Sequence, residues 1–387
     1  MSRFLAAHAT HPEPGMALAL AAAQLEAQRA ALPQPWQPTL GLVYLTDHYA
    51  RQAEGLLAEL QQRWPGVRWA GNVSIGVAAS GVEYMDEPAL VLMLGDLPAA
   101  GFSLFSGRAP LDPAQAWSAL VHADPGTPDL SELIGELAQR TGSGYLFGGL
   151  GAARARRLHI ADGVFEGGLS GVGFAAGVGL VSRVTQGCQP VGPSRQITAA
   201  QHNLVLRLDG QPALPLLLAD LGLSLDQPQQ AMAGLRSTLV GVTDPGDDAL
   251  ARGGQFGTDT RVRNLIGIDP TRQGVAVAEV VAVGQQLAFC RRDVDAARRD
   301  LVRICAELRE ELDGDGSGPG RQITGAVFIS CVGRGGPHFG APSAELQIVQ
   351  HALGEVPLVG FFAGGEIARH HLYGYTGVLT VFTAEAA

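Results

Sequence analysis

Short apolar runs, each bounded by glycine, proline or polar residues, recur along most of this chain. Leu40–Thr46, Ala89–Leu94 and Ala326–Val332 are three of them, and their length is typical of strands that are buried on both faces. Between such runs lie segments in which apolar residues recur every three or four positions, as in Tyr49–Trp64, and this spacing predicts helices. The pattern as a whole predicts an α/β protein in which mixed β-sheets are flanked by helices.

The same reasoning predicts further elements elsewhere in the chain. The predicted helices are Met16–Leu32, Leu130–Arg140, Asp293–Leu312, with Asp293 as its N-cap, and Ser343–Leu353. The predicted strands are Val67–Val77, Tyr145–Leu150, Leu204–Leu208, Val262–Ile268, Gly274–Val283, Gln286–Cys290 and Gly377–Phe382. The glycine-rich segment Gly168–Val181 predicts one long strand or a hairpin.

One succession of elements occurs twice, once near each end of the chain. A strand, a helix, a strand rich in small residues and an apolar strand follow one another from Gly41 and again from Gly325. The third element of each copy begins at Val67 and at Val356. Because 387 residues are too many for one ordinary core, we predict two related lobes.

The composition and charge of the chain argue against several classes of function. A net charge of −10 argues against a broad surface for nucleic acid. No apolar run is long enough to span a bilayer, so membrane insertion is not predicted. The four cysteines form neither a disulfide framework nor a metal-ligand motif, which suits a reducing cytoplasm, and we assign no metal site.

Polar side chains in the C-terminal region fall where the predicted strands end. Cys331, Arg334, Glu345, Glu366 and Tyr373 all lie at strand ends or in the segments that follow them. Sites in sheet proteins are commonly built at such positions. We therefore predict the functional site in this region.

The residue types at these strand ends suit a small zwitterion. The Arg334 guanidinium would receive a carboxylate, and the N–H groups of Gly333 and Gly335 would form an anion nest beside it. Glu345 and Glu366 would bind an amino group. The alternative is an internal ion pair between Arg334 and either glutamate, which would only fix the loop. The remaining predicted lining residues are Gly365, Phe361, Phe362 and Tyr373.

A different interpretation of the same region is a cysteine-dependent enzyme. Cys331 lies just before Arg334, whose guanidinium would lower the thiol pKa and favour a nucleophilic thiolate. Four histidines are near in sequence, but the sequence does not show which of them would act as the base. A small apolar residue that ends a strand is the more common role for such a cysteine.

Several separated motifs of this chain resemble those of FIST-domain proteins. The C-terminal ones are, in order, VRNLIGIDPTRQGVAVAEVVAVGQQLAFCRRDVDAARRDL, SCVGRG, PLVGFFAGGEI and LYGYTGVLTVF. VRWAGNVSIGV, ALVLML and YLFGGLGA are similar to motifs of the N-terminal half of that family. The resemblance implies an N-terminal helical segment (1–30), a FIST N-terminal-like domain (31–190) and a FIST C-terminal-like domain (191–387).

The resemblance also implies a function. FIST-domain proteins take part in signal transduction, so we expect a cytoplasmic sensory module that binds a small, amino-acid-like ligand. Its signal would pass to a separate partner protein, such as a histidine kinase. Some members of the family are haem proteins that sense nitric oxide, and a b-type haem sensor is the alternative. The sequence does not select an axial ligand from the ten histidines.

Overall fold

The computed structural model describes residues 3–32, 36–246, 260–313 and 320–385. The chain forms two compact units: residues up to Thr185 and from Leu301 onward belong to the larger one, and Gln186–Asp300 form the smaller one. Helices and mixed sheets make up the structure, which confirms the predicted α/β fold with two lobes. Within the described ranges, no helix has both the length and the apolarity needed to cross a membrane.

The elements are numbered in chain order. The first part of the larger unit contains β1 (Phe4–Thr10), α1 (Pro14–Ala30), β2 (Leu40–Thr46), α2 (Ala53–Arg63), β3 (Arg68–Ser74), β4 (Gly76–Ala79), β5 (Val82–Met85), β6 (Ala89–Gly95), β7 (Phe102–Phe105), β8 (Ser118–Ala123), α3 (Leu130–Gln139), β9 (Tyr145–Gly151), β10 (Leu158–Ala161), β11 (Val164–Glu166), β12 (Leu169–Phe174) and β13 (Gly179–Gln186).

The smaller unit and the return to the larger one follow. The smaller unit contains β14 (Cys188–Pro190), β15 (Arg195–Gln201), β16 (Leu204–Leu208), β17 (Gln211–Pro212), α4 (Ala213–Leu221), α5 (Pro228–Arg236), β18 (Leu239–Thr243), β19 (Arg261–Asp269), β20 (Gly274–Val277) and β21 (Gln286–Arg292). The chain continues through α6 (Val294–Asp313), β22 (Arg321–Cys331), α7 (Ala344–Leu353), β23 (Leu358–Arg369), β24 (His371–Tyr373) and β25 (Thr376–Glu385).

Two sheets face each other in the larger unit. One has the order β1-β6-β2-β3-β10-β11, and the path of the other runs β13-β25-β22-β23-β9-β8-β12-β7. Alternate residues of β2 show the layering, because Leu42 and Tyr44 join the core between the sheets while Val43 and Leu45 pack with α1 and α2. Helix α3 covers the outer face of the other sheet. The larger unit is therefore a four-layer sandwich with its two sheets inside.

The strand–helix–strand–strand succession occurs three times in the larger unit, so the two copies from which related lobes were predicted share one lobe. In the first copy, β2 is parallel to β3, and β6 runs antiparallel beside β2. The C-terminal copy repeats this with β22, β23 and β25. A copy that the sequence analysis did not find uses β8, β9 and β12. In each copy a further strand, β1, β13 or β7, flanks the returning strand.

Each copy also has a glycine at the same register position. It lies on the second parallel strand, where a Cβ atom would overlap a carbonyl oxygen of the first strand. This shared requirement indicates that the three copies have the same local backbone packing. The facing pairs are Val43 with Gly71, Val121 with Gly148, and Phe328 with Gly360.

The smaller unit is built on one eight-stranded sheet, with the order β14-β21-β15-β16-β20-β19-β18 and with β17 beside β16. Its core includes Leu214 and Leu217 of α4 and Leu235 of α5, packed with residues of the sheet. Asp293 caps α6 as predicted, since its carboxylate accepts from the Ala296 N–H.

Three predicted strands differ from the structure. Gly274–Val283 is shorter than predicted, because β20 ends at Val277. Val67–Val77 is not one strand, because β3 belongs to the six-stranded sheet and β4 pairs with β23 of the other sheet. Gly168–Val181 is neither one strand nor a hairpin, since β12 pairs with β7 and β8 while β13 pairs with β25. Local apolar patterning did not reveal that the chain changes sheets between β3 and β4, or that β12 and β13 lie far apart within the same sheet.

Candidate functional site

The candidate site begins where the buried strand β22 ends. Residues 325–331 of β22 are all buried, and the chain then turns, with the Arg334 N–H donating to the Cys331 carbonyl at 2.8 Å. The segment Val332–Ser343, here called the Arg334 loop, joins β22 to α7. Glu345 lies in the first turn of α7 and Glu366 lies on β23, so three elements supply the charged groups.

Arg334 and Glu345 form a fully buried ion pair. Nε and Nη2 of Arg334 both donate to Oε1 of Glu345, at 2.9 and 2.6 Å, and both side chains are only 1% exposed. The other carboxylate oxygen, Oε2, accepts from the Ser330 hydroxyl at 2.7 Å. The Arg334 guanidinium also lies 5.2 Å from the centre of the Phe339 ring, within the range of a cation–π interaction. One of the two ion pairs considered from the sequence therefore exists.

Glu366 is buried, and no cation among the described residues pairs with it directly. Its Oε2 accepts from the Thr376 hydroxyl at 2.8 Å and from the Thr376 N–H at 3.1 Å. Burial raises the pKa of Glu366 to about 8, although the Thr376 hydrogen bonds and the charge of Arg334 act in the opposite direction. At neutral pH this carboxyl group is therefore mostly protonated, and it readily changes its charge.

Two groups of the site each keep one buried atom without a hydrogen-bond partner among the described residues. These atoms are Nη1 of Arg334 and Oε1 of Glu366. The Cys331 thiol also interacts with the Glu366 carboxyl group and favours its ionised form. A buried donor or acceptor that lacks a partner costs on the order of 1–3 kcal/mol, and more when the group is charged. Such atoms are unusual in native structures and call for a ligand or an ordered water molecule.

Glu83, on β5, fixes the Arg334 loop at two points. Its carboxylate accepts from the Gly336 N–H at 2.9 Å, and its backbone N–H donates to the Ser343 hydroxyl at 3.0 Å. Burial raises the pKa of Glu83, and the negative charge of Glu345 acts in the same direction. A hairpin that belongs to the first copy of the repeat thus holds the loop of the third copy.

The environment of Cys331 does not favour a nucleophile. Burial is the largest influence and Glu366 adds to it, so that the pKa of the thiol is raised to about 12. Arg334 lowers this pKa, as expected from the sequence, but its effect is smaller than that of burial. The raised pKa does not favour the alternative of a nucleophilic Cys331 thiolate, because desolvation outweighs the nearby charge.

Not all of the other predicted lining residues lie beside the Arg334 loop. Phe362 packs beside the loop, since a Cβ atom on Gly335 would lie 2.9 Å from its ring. Phe361, its neighbour, points to the other face and packs 5.1 Å from the Tyr44 ring in the core between the sheets. Tyr373 is buried directly opposite Glu366 on β24.

The predicted glycines serve the backbone in different ways. The Gly333 N–H donates to the Cys331 sulfur, which uses one donor of the expected anion nest. Gly335 lets the loop approach Phe362, and Gly365 packs against Leu150 and Leu372. Close backbone packing therefore accounts for Gly335 and Gly365.

Sequence reasoning did not find four residues that complete the cluster. Ser330 and Thr376 bind the two glutamates, Phe339 lies against Arg334, and Glu83 holds the loop. Ser330 and Thr376 had a usable signal, because each is a hydroxyl residue at the end of an otherwise apolar strand. Glu83 had none, since it is 253 residues from the Gly336 that it binds.

The described structure also contains two clefts, with volumes of about 330 and 290 Å³. A b-type haem would need an axial His, Cys, Met or Tyr in an apolar cavity. Among the residues described, neither lining includes His, Cys or Met, and the Tyr145 hydroxyl of the first cleft is hydrogen-bonded to Ser182. These two clefts do not fit a haem. Over the same ranges, no group of three His, Cys, Asp or Glu side chains is placed to hold a metal ion.

The fold and this cluster define a two-lobed α/β protein with a closed, charged cluster at strand ends of its larger lobe. The chain belongs to the FIST family, because residues 39–211 match the FIST N domain and residues 213–369 match the FIST C domain. FIST domains are generally small-ligand-binding sensors of signal transduction.

Relatives of similar length occur in mycobacteria. An uncharacterized protein of Mycobacterium tuberculosis is 31% identical over 392 residues, which covers 96% of this chain and 97% of the relative. An uncharacterized protein of Mycobacterium bovis is 32% identical over 354 residues, with 87% of this chain and 88% of the relative covered. The similarity thus extends over both lobes.

Proposed function

We propose that this protein is a cytoplasmic sensory module that binds a small, amino-acid-like metabolite at the Arg334 loop. The observation that supports it is the pair of unpartnered buried atoms, one a donor on Arg334 and the other an acceptor on Glu366. A zwitterion carries the complementary groups, a carboxylate that accepts and an ammonium that donates. Neither an anion nor a cation alone would satisfy both atoms.

In the proposed complex, the ligand binds the hydrogen-bonding atoms of Arg334 and Glu366 that other residues do not use. The ligand carboxylate binds Nη1 of Arg334, whose Nε and Nη2 stay on Glu345. The ligand ammonium binds Oε1 of the ionised Glu366 carboxylate, and its positive charge lowers the raised pKa of that group and so favours this form. Thr376 keeps its contacts with Oε2. Phe362 and Tyr373 are the proposed apolar neighbours. Glu345 then orients the arginine and does not contact the ammonium.

Ligand entry in this proposal requires the Arg334 loop to move. Both unpartnered atoms are buried, and the loop lies between α7 and the end of β22. Glu83 ties the loop to β5, so displacement of the loop also changes the contacts of that hairpin. We propose that this displacement is the signal passed to a separate partner, such as a histidine kinase.

Thermal denaturation with a panel of amino acids tests the proposal, because a ligand that binds only the folded state raises the melting temperature. For an amino acid that does so, the methyl ester lacks the carboxylate and the N-acetyl derivative lacks the ammonium. Both derivatives should bind at least about tenfold more weakly, since each loses one charge-assisted contact. Derivatives that bind as well as the parent would contradict the proposal.

Glu366→Gln separates binding from folding. This variant keeps the shape of the side chain and should fold, yet it should lose most of the affinity for the amino acid. Arg195→Ala is the matched control, because Arg195 forms a similar ion pair with Asp220 in the smaller unit, at 2.6 Å. Native mass spectrometry of the purified protein adds an independent check, and a haem mass in place of a small metabolite would overturn the proposal.

A further inference from the structure

The larger unit contains a second concave region that shares no lining residue with the Arg334 loop. This cleft of about 330 Å³, here called the Trp117 cleft, lies among β8, β9, β13 and β25 and the first residue of β22. Its volume is at the lower end of the range for small-molecule sites and suits a ligand with a single ring.

An exposed indole forms one wall of the Trp117 cleft. Trp117 is 50% exposed, whereas the other three tryptophans of the chain are buried. Gly142 lies against it so closely that a Cβ atom there would be 2.7 Å from Cε3 of the indole. The Ser143 hydroxyl holds the Trp117 backbone by donating to its carbonyl at 2.5 Å. The indole is therefore fixed in position while a large part of it stays accessible.

Aromatic and hydroxyl groups share the rest of the cleft. Phe147 and Tyr145 add two more rings, which favour stacked or edge-to-face contact with a planar ligand. Ser182 and Thr380 are joined by a hydroxyl–hydroxyl hydrogen bond of 2.8 Å, and either can be the donor. Ser182 is also hydrogen-bonded to the Tyr145 hydroxyl, so these hydroxyl groups together offer lone pairs that can accept from a hydroxyl on a ring.

One arginine, Arg321, brings a positive charge to the cleft, and Glu385 lies opposite it on β25. Arg321 lines it and is 43% exposed, and its ion pair with Glu311 among the described residues is long, at 3.8 Å. Burial raises the pKa of the Tyr145 hydroxyl, and the nearby charge of Arg183 acts in the opposite direction. Arg183 itself is bound to Glu307 and Glu311. Arg321 is thus the cation best placed to receive an anionic group.

From these features we infer that the Trp117 cleft binds a single-ring aromatic carboxylate. The ring lies against Trp117 and Tyr145, the carboxylate meets Arg321, and a ring hydroxyl reaches the Ser182–Thr380 pair. This site is independent of the proposed amino-acid site, since the two differ in residues and in ligand chemistry.

Fluorine NMR of protein labelled with 5-fluorotryptophan tests the inference, and 4-hydroxybenzoate is the probe. The four tryptophans give four resonances, and Trp117→Phe assigns the exposed one. Addition of 4-hydroxybenzoate should shift the Trp117 resonance saturably and leave those of Trp36, Trp64 and Trp69 in place. No saturable shift at millimolar probe, or a shift confined to the buried tryptophans, would overturn the inference.

Two comparisons test the chemistry of the site. 4-Hydroxybenzyl alcohol has the same ring and hydroxyl without the charge, and its affinity should be about tenfold lower. Arg321→Gln should raise the dissociation constant for 4-hydroxybenzoate by a similar factor, while Arg68→Gln, an exposed arginine on β3, should not change it. Equal affinity for the charged and neutral probes would exclude Arg321 as an anion anchor and overturn the assignment.

Discussion

Gly360 faces Phe328 across the parallel strands β22 and β23, and a Cβ atom on Gly360 would overlap the Phe328 carbonyl oxygen. The same relationship holds at the equivalent pairs of the other two copies of the repeat. A backbone carbonyl inside a sheet has little freedom to move away. The glycine is therefore required by the packing of the backbone and not by flexibility.

Substitution of this glycine should destabilise the fold strongly. Gly360→Ala should lower the free energy of unfolding by about 3 kcal/mol or more, because the added methyl group must displace the strand. Gly364→Ala on the same strand is the control, since the nearest atom to its added Cβ is 3.9 Å away. Urea denaturation measures both. If the two variants lose equal stability, the proposed overlap is not what makes Gly360 necessary.

The Arg334–Glu345 pair should contribute to folding as well as to the proposed site. Arg334→Ala leaves the Glu345 carboxylate buried without its cation and should cost about 3–5 kcal/mol. Arg63→Ala removes an exposed ion pair with Glu59 and should cost less than about 1 kcal/mol. Chemical denaturation compares the two variants. Replacement of both Arg334 and Glu345 by apolar residues should restore part of the loss, and a double variant as unstable as the sum of the single ones would contradict this explanation.

Glu366 should make stability fall as the pH rises. Its pKa is raised from 4.5 to about 8 in the folded protein, so between these values the folded state retains a proton that the unfolded state has released. The free energy of unfolding then decreases with pH, by about 1.4 kcal/mol per unit for this group. Glu366→Gln removes that contribution.

The test is the difference in unfolding free energy between wild type and Glu366→Gln, measured from pH 5 to pH 8. The variant should gain stability relative to wild type as the pH increases. A difference that stays constant over this range would show that the carboxyl group has an ordinary pKa.

His122 should have the opposite effect, because it should make stability fall as the pH decreases into the acidic range. Its ring is fully buried, with Nε2 3.2 Å from the Tyr44 hydroxyl, and burial together with the charge of His159 lowers its pKa from 6.5 to about 3. Below pH 6.5 the unfolded chain binds a proton that the folded chain does not, so stability is lost as the pH falls towards 3.

His122→Gln should flatten this acid-side loss relative to wild type, when unfolding is measured between pH 4 and pH 7. His202→Gln, at an exposed position, serves as the control and should follow the wild-type profile. A His122→Gln profile parallel to that of wild type would mean that this histidine is protonated equally in both states.

The three copies of the repeat differ in how clearly the local sequence pattern predicts them. The copies beginning at β2 and β22 were recognised because their first strands are long, uniformly apolar runs followed by clear helical spacing. The copy beginning at β8 was not recognised, since that strand is short and contains Ser118 and His122. His122 is accommodated by the Tyr44 hydroxyl of β2, a partner that the local sequence does not contain.

Some features of the candidate site were likewise predicted from the sequence, and others were not. Arg334, Glu345 and Glu366 were identified from the sequence because polar residues at the ends of apolar strands meet at one region of a sheet. The sequence left open whether they form an ion pair, and it left open whether Cys331 is a thiolate or a buried apolar residue. Both outcomes depend on how deeply the groups are buried, and burial is set by elements distant along the chain.

The sequence by itself determined the α/β class, most of the C-terminal elements, the resemblance to the FIST family, and Arg334, Glu345 and Glu366 of the charged cluster. Hydrophobic periodicity is a local property, and for that reason these features are visible without the structure. The tertiary structure alone decided that three copies of the repeat share one unit, that β3 and β4 enter different sheets, and that Arg334 and Glu366 each keep an unpartnered atom. These depend on contacts such as that between Glu83 and Gly336, which only the folded chain brings together.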